Sequence, residues 1–317
     1  MDAMELHIER VPWIVHGNNP VGSAGLYFGE LGTKNWQSVT SDSGYPLNNS
    51  DPFLLSQLRA RAIAGRRFKT VVSIGPGDGI HDADLVASIP CNGYEHPLRY
   101  VPIDISEQML NQSVKTIGSS ISVPLAIQCD FERNERFLTR VLKPKLLSPN
   151  LFLMLGGTFG NLDLGEVHFL EMLKRIACGR DAILIELPTA ERDWSPDTEP
   201  RLQVQNYSTT FRHFLANGIA SGRSDAKEEC QESAQDIVDS FDDEVSLQYT
   251  VNNHTKAHEI HIIDRRNGKT VLRLRRYRFD SFVAWIARQG FKILFSEMSQ
   301  FIIDRRFGMG VVLVEFN

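Results

Sequence analysis

The residues best suited to chemistry fall into short groups that follow one another along the chain. Gly75-Pro76-Gly77-Asp78-Gly79 comes directly after the apolar run Val71 to Ile74 and before a helical pattern. Glycines in that position let backbone approach a ligand at a helix N-terminus. The Gly-Lys-Ser/Thr ending of a phosphate-binding NTPase loop is missing. Asp104 closes the next apolar run, where a carboxylate can accept both ribose hydroxyls of an adenosine cofactor; its plainer role is an acid at a helix start beside Ser106. Asp130-Phe131 supplies a second carboxylate, suited to an adenine amino group, and a ring that can pack on the base. Taken alone, this pair also fits a turn acid and a core aromatic. Leu155-Gly156-Gly157-Thr158-Phe159-Gly160-Asn161-Leu162 ends a fourth run, and so glycine-rich a segment can bring backbone and Asn161 close to a substrate. The loop and Asp104 suit a nicotinamide cofactor or S-adenosylmethionine equally.

The elements that must position these groups alternate. Helical spacing over Pro52 to Ala64, His81 to Ser88, Ser106 to Thr116 and Leu164 to Ala177 is interleaved with strand-like runs. Those runs are Thr70 to Ile74, Arg99 to Ile105, Pro124 to Cys129, Asn150 to Leu155 and Ala182 to Leu187. Such alternation predicts an α/β fold with a parallel, right-handed, doubly wound sheet. Past Pro188 the rhythm stops. A polar stretch to Pro200, a helix over Asn206 to Gly218 ended by the glycine, and a strongly acidic segment from Ser224 to Glu244 follow. Glu259 to Ile263 and Thr270 to Tyr277 then flank Asn267-Gly268, a strong hairpin signal. A helix capped by Asp280 and two closing strands, Lys292 to Glu297 and Gly310 to Phe316, complete the pattern. The expected domains are an N-terminal arm over 1–50, a core over 51–187 and 279–317, and a second lobe over 188–278.

A formal net charge of -5 repels a phosphate backbone on average, which disfavours nucleic acid as a partner. No run approaches the roughly 18 apolar residues that span a bilayer, and residues 1–17 lack a secretory pattern, so a cytoplasmic protein without a membrane partner is expected. Cys91, Cys129, Cys178 and Cys230 are too widely spaced for a metal motif or a dense disulfide framework. His258 and His261 fall on opposite faces of a strand, which argues against a metal site with His254.

The ordered set Val71-Val72-Ser73-Ile74-Gly75-Pro76-Gly77, Tyr100-Val101-Pro102-Ile103-Asp104-Ile105, Cys129-Asp130-Phe131 and Leu155 to Leu162 resembles the histidine Nα-methyltransferase family of ergothioneine biosynthesis. Leu26-Tyr27-Phe28-Gly29-Glu30-Leu31-Gly32-Thr33 and Tyr45-Pro46 look like that family's N-terminal substrate arm. The resemblance implies a Rossmann-like class I methyltransferase core with a smaller α+β substrate lobe built from the arm and the insertion. It puts Gly75 and Gly77 at the methionine end of S-adenosylmethionine, Asp104 on the ribose, and Asp130 and Phe131 at the adenine, with Gly156 also binding the cofactor. It also puts Phe28, Tyr45, Asn161 and, in a looser match, Tyr207 at the substrate, with Tyr45 and Asn161 positioning the reacting nitrogen.

One departure bears on specificity. Counting back from Gly290, the family's acid and hydroxyl that read imidazole fall at Leu272 and Leu274, which cannot hydrogen-bond a ring nitrogen. The sequence therefore predicts an S-adenosylmethionine-dependent N-methyltransferase acting on a free amino acid or related small amine other than histidine. Alternatives are aminocarboxypropyl transfer or cyclisation with the same cofactor, a non-catalytic S-adenosylmethionine-binding regulator, and a nicotinamide-dependent dehydrogenase. The last leaves Asp130-Phe131 and Gly156 to Asn161 without a role. Arg273, Arg275, Arg276 and Arg278 fit either a solvated strand face or an anchor for a carboxylate or phosphate.

Overall fold

The computed structural model describes residues 7–12, 22–42, 45, 50–90, 97–118, 121–191, 194, 207–223, 230–302 and 305–316. Cys91, Pro46, Asn206, most of the polar stretch before Pro200 and residues 224–229 of the acidic segment lie outside them.

Strands β1 (Ile8–Arg10), β2 (Thr70–Ile74), β3 (Arg99–Asp104), β4 (Ala126–Gln128), β5 (Asn150–Met154), β6 (Ala182–Ala190), β10 (Lys292–Gln300) and β11 (Phe307–Glu315) form one sheet. Its order is β1-β4-β3-β2-β5-β6-β11-β10, parallel from β1 to β6 and antiparallel where β11 joins β6 and β10. Chain order reverses between β2 and β5, because β3 and β4 lie to one side of β2 and β5 and β6 to the other. The crevice at such a switch point is where open α/β sheets bind ligands.

The sheet is buried on both faces. Val72, Ile74, Val101, Ile103, Phe152 and Met154 belong to one apolar cluster, and Val71, Tyr100, Leu151 and Leu153 to the other. Alternate residues of one strand thus feed opposite cores, which explains why the central strands read as near-continuous apolar runs. Ser106 caps the helix Glu107–Ile117 by accepting from the N–H of Met109.

Strands β7 (Val245–Val251), β8 (His258–Asp264) and β9 (Thr270–Arg276) form a separate antiparallel sheet. A third apolar cluster joins Leu26 and Val39 of the N-terminal arm to Phe214 and Ile219 of the helix Thr209–Arg223 and to Ile262 and Leu272 of this sheet. The arm and the insertion therefore share one core.

Three expectations change. Ile8–Arg10 pairs with β4, so this part of the arm lies on the main sheet. The helix expected to stop at Gly218 continues to Arg223. Gly218 is a contact glycine, since a Cβ there would lie 2.2 Å from a Leu26 methyl carbon. The closing helix is Phe279–Arg288 with Arg278 at the N-cap, which puts Asp280 in its first turn.

Candidate active site

A cavity of about 540 Å³ opens at the switch point, within the usual range for a small-molecule site. Gly75 and Gly77 take left-handed backbone at φ +66° and +57°. A Cβ on Gly75 would come within 3.0 Å of Thr158, so the loops after β2 and β5 meet there. Asp104 ends β3 at the cavity wall and accepts from the N–H of Ser106 at 2.9 Å. Burial pushes its carboxyl up to about 6, against the lowering effect of that bond and of the Gly77 N–H.

Asp130 lines the cavity while making the contacts of a turn acid. Its Oδ1 accepts from the N–H groups of Glu132 and Arg133, and its Oδ2 from Arg133 Nη1 at 3.0 Å. Burial raises its pKa despite Arg133. Phe131 lines the cavity beside it and packs edge-on against Phe169. A carboxylate placed for hydroxyls, a second carboxylate with an aromatic ring, and a left-handed glycine loop make a donor set that fits a nucleoside with a charged tail.

The arm supplies a further part of the lining. Trp36, on the helix Gly29–Ser41, meets Tyr27 edge-on at 5.2 Å and Tyr45 at 5.7 Å between ring centroids, and all three line the cavity. The Asn161 side chain lies beside the Tyr27 hydroxyl and favours its charged form, so arm and loop meet there. Burial pushes both phenols well above their usual range, so they stay neutral and serve as hydrogen-bonding groups.

Also lining the cavity, Arg59 Nε meets Glu186 Oε1 at 2.5 Å with both side chains buried, and Glu186 Oε2 accepts from the Gly156 N–H at 2.8 Å. Burial pushes this carboxyl up, but Arg59 and that N–H win and hold it below the ordinary range. Beside it, burial and then Arg59 lower the pKa of His81. Burial likewise carries Asp82 up to about 6 despite its bond from the Tyr100 hydroxyl at 2.6 Å.

The cavity thus gathers Tyr45, Gly75, Gly77, Asp104, Asp130, Phe131, Gly156 and Asn161. Phe28, Tyr207, Leu272 and Leu274 are not among its lining residues. Phe28 is the extended junction between the arm's two helices, and the arm residue at the cavity is its neighbour Tyr27. Tyr207 is buried edge-on against Phe211 and Phe241 in the lobe, where Leu272 is buried too, and Leu274 packs against the lobe's core and that of the sheet. Sequence reading missed Tyr27, Trp36, Arg59, His81, Glu132 and Glu186. A glutamate inside the apolar run Ala182 to Leu187, and an arginine on the apolar face of Leu55, Leu58 and Ala62, were the available signals.

The model of a protein family described as histidine-specific, S-adenosylmethionine-dependent methyltransferases matches residues 23–193, more than half of the chain. The chain belongs to this family. It is therefore an enzyme, a methyltransferase, with S-adenosylmethionine as its cofactor. No curated protein matches the sequence. Similar solved structures include the Burkholderia thailandensis 1,6-didemethyltoxoflavin-N1-methyltransferase with bound 1,6-didemethyltoxoflavin and S-adenosylhomocysteine. It is 10% identical with a TM-score of 0.45, over 94% of this chain and 92% of that one. An S-adenosylmethionine-dependent methyltransferase from Geobacter sulfurreducens in complex with S-adenosyl-L-homocysteine is 13% identical with a TM-score of 0.39, over 90% and 98%. Among the described residues of this methyltransferase no helix is long and apolar enough to cross a membrane, and no cluster of His, Cys, Asp and Glu could hold a metal ion.

Proposed function

We propose that this methyltransferase N-methylates a free amino acid or a related small amine other than histidine. The observation that carries the reading is the aromatic corner of Tyr27, Trp36 and Tyr45, which lines the cavity with Asn161 beside Tyr27. Aromatic faces attract an ammonium and its methylated forms, while neutral phenols and a carboxamide can orient N–H bonds. In this reading the arm and residues 188–278 form a substrate lobe on a core of 51–187 and 279–317, with Ile8–Arg10 on the core sheet.

Gly75, Gly77 and Gly156 would hold the methionine part, next to the Arg59–Glu186 pair, with Asp104 on the ribose and Asp130 and Phe131 at the adenine. When bound, S-adenosylmethionine supplies a methyl group already activated on a sulfonium. The chain's part is to bind the amine in its neutral form, aim its lone pair and exclude water. Tyr45 and Asn161 accept the amine's N–H bonds, with Tyr27 beside Asn161, which leaves the lone pair free to attack. The proton lost on forming the nitrogen–carbon bond leaves to solvent, and S-adenosylhomocysteine is released.

The side-chain end of the substrate distinguishes this reading from histidine methylation. Leu272 and Leu274 lie outside the cavity lining, so this part of the reading rests on the sequence departure: neither position carries the acid or hydroxyl that reads imidazole in the family, and a site built to pair a polar group discriminates by roughly 10⁴ to 10⁵ when the partners are present. The test is mass spectrometry of common amino acids and their decarboxylated amines, each incubated with the enzyme and S-adenosylmethionine and then competed at equal concentration. A methylated amine other than histidine is expected to dominate. Histidine methylated fastest overturns the specificity, and transfer of the aminocarboxypropyl arm overturns N-methylation.

A further inference from the structure

The segment that carries Asn161 belongs to no sheet, so its backbone groups must find partners elsewhere. Its donors go to the core. Glu132, buried beside the cavity, accepts the N–H groups of Asp163 and Leu164 with its two carboxylate oxygens, each at 2.8 Å. Its acceptors go to the second lobe. Arg273 Nη1 donates to the Asp163 carbonyl and Arg275 Nη1 to the Leu162 carbonyl, both at 2.6 Å, and the Tyr277 hydroxyl, which donates to Glu166 Oε1 at 2.8 Å, lies 3.3 Å from the Phe159 carbonyl.

Residues 273, 275 and 277 lie two apart along β9 and its continuation, so one face of the strand makes all three contacts. Leu272 and Leu274 face the other way, into the lobe's apolar cluster. Arg275 is fully buried and its charge is matched by Glu259 at 3.0 Å and Glu166 at 3.4 Å. Arg273 and Arg275, two of the arginines that the sequence left open as a solvated face or an anion anchor, thus bind the backbone carbonyls of the two residues that follow Asn161.

We infer that Arg273 and Arg275 are positioning residues, which fix Asn161 at the cavity wall through the carbonyls of Leu162 and Asp163. The second lobe then sets the geometry of a core loop, and the inference rests on Asn161 meeting the substrate amine. A charged group donating to a carbonyl is among the stronger hydrogen bonds, and an ångström of misplacement at a reacting centre is costly.

Arg275→Met leaves two buried acids unpaired and risks misfolding, so the informative variants are Arg273→Met, Arg273→Lys and Arg275→Lys. Hydrogen exchange is followed in peptides covering residues 156–164, S-adenosylhomocysteine affinity by calorimetry, and kcat and KM on the amine that wins the competition above. Arg273→Met is expected to speed loop exchange by about tenfold or more, hold S-adenosylhomocysteine affinity within about twofold, and cut kcat/KM by about 10- to 100-fold. Arg273→Lys should restore part of the loss. Asn161→Ala should cost little more in the Arg273→Met background than Arg273→Met costs alone, because both act through one group. Unchanged loop exchange, or fully additive losses, overturns the inference. Faster loop exchange together with an inert Asn161→Ala supports the clamp and overturns the role assigned to Asn161.

Discussion

At the scale of single residues, the cavity is marked by carboxyls that burial holds partly protonated. Asp82 and Asp104 are carried up to about 6 and Glu132 up to about 7, burial being the largest cause in each. A raised carboxyl means that the folded protein holds its proton more tightly than the unfolded chain. The associated stability is full below the ordinary carboxyl range and is lost as pH rises through about 6 to 7. With Asp104 at the ribose as proposed, the ribose hydroxyls would favour its charged form, and cofactor binding would expel its proton. Affinity for S-adenosylhomocysteine should therefore rise as pH passes through about 6 and then level off. Calorimetry at pH 5.5 in two buffers of different ionisation enthalpy should register the released proton. Asp104→Asn should abolish the pH dependence, and Asp104→Ala should weaken binding by about 1–3 kcal/mol. A pH-independent affinity in the parent enzyme would remove Asp104 from the ribose.

At the scale of elements, close approach overrides helix propensity. Ala is favoured over Gly inside a helix by about 1 kcal/mol, so propensity alone says that Gly218→Ala should stabilise Thr209–Arg223. The added Cβ would meet Leu26 Cδ2 at 2.2 Å and Cγ at 2.9 Å, and Leu26 is fully buried. Overpacking of that kind costs about 1–3 kcal/mol, so the variant is expected to be destabilised in urea unfolding. A more stable variant would mean that the arm yields freely at Leu26. The same contact seats the helix that ends in Tyr27, and the shift should also raise the KM for the amine while leaving S-adenosylhomocysteine affinity nearly unchanged.

At the scale of the whole molecule, the Arg59–Glu186 pair ties the helix Pro52–Ile63 to β6 under the cavity, and Glu186 reaches on to the Gly156 loop. Removing one member of a buried pair strands the other. Arg59→Met should cost about 3–5 kcal/mol in chemical unfolding, and adding Glu186→Gln to it should recover part of the loss. If Arg59→Met alone is neutral, water already reaches Glu186 and the pair holds little of the fold together.

Sequence alone determined the order of strands and helices, because each buried parallel strand is a local apolar run and each following loop has its own glycines and acids. Gly75, Asp104, Asp130 and Asn161 were legible for that reason: an open α/β sheet puts the residues after its strands on one edge, whatever the details of packing. Val245–Val251 alternates apolar and polar residues, a strand signal that was there to be read and was missed, whereas Gly29–Ser41 was not legible, since it has no strong period or composition of its own and is held by the lobe's shared core. Only tertiary structure decided that Tyr27 and not Phe28 faces the cavity, and that a run of arginines grips a core loop instead of meeting solvent. It also decided that Glu186 inside a strand is paired with an arginine 127 positions away. Periodicity is a property of neighbours in the chain, whereas a buried charge or a close contact is settled by partners far apart in sequence, and only folding brings those together.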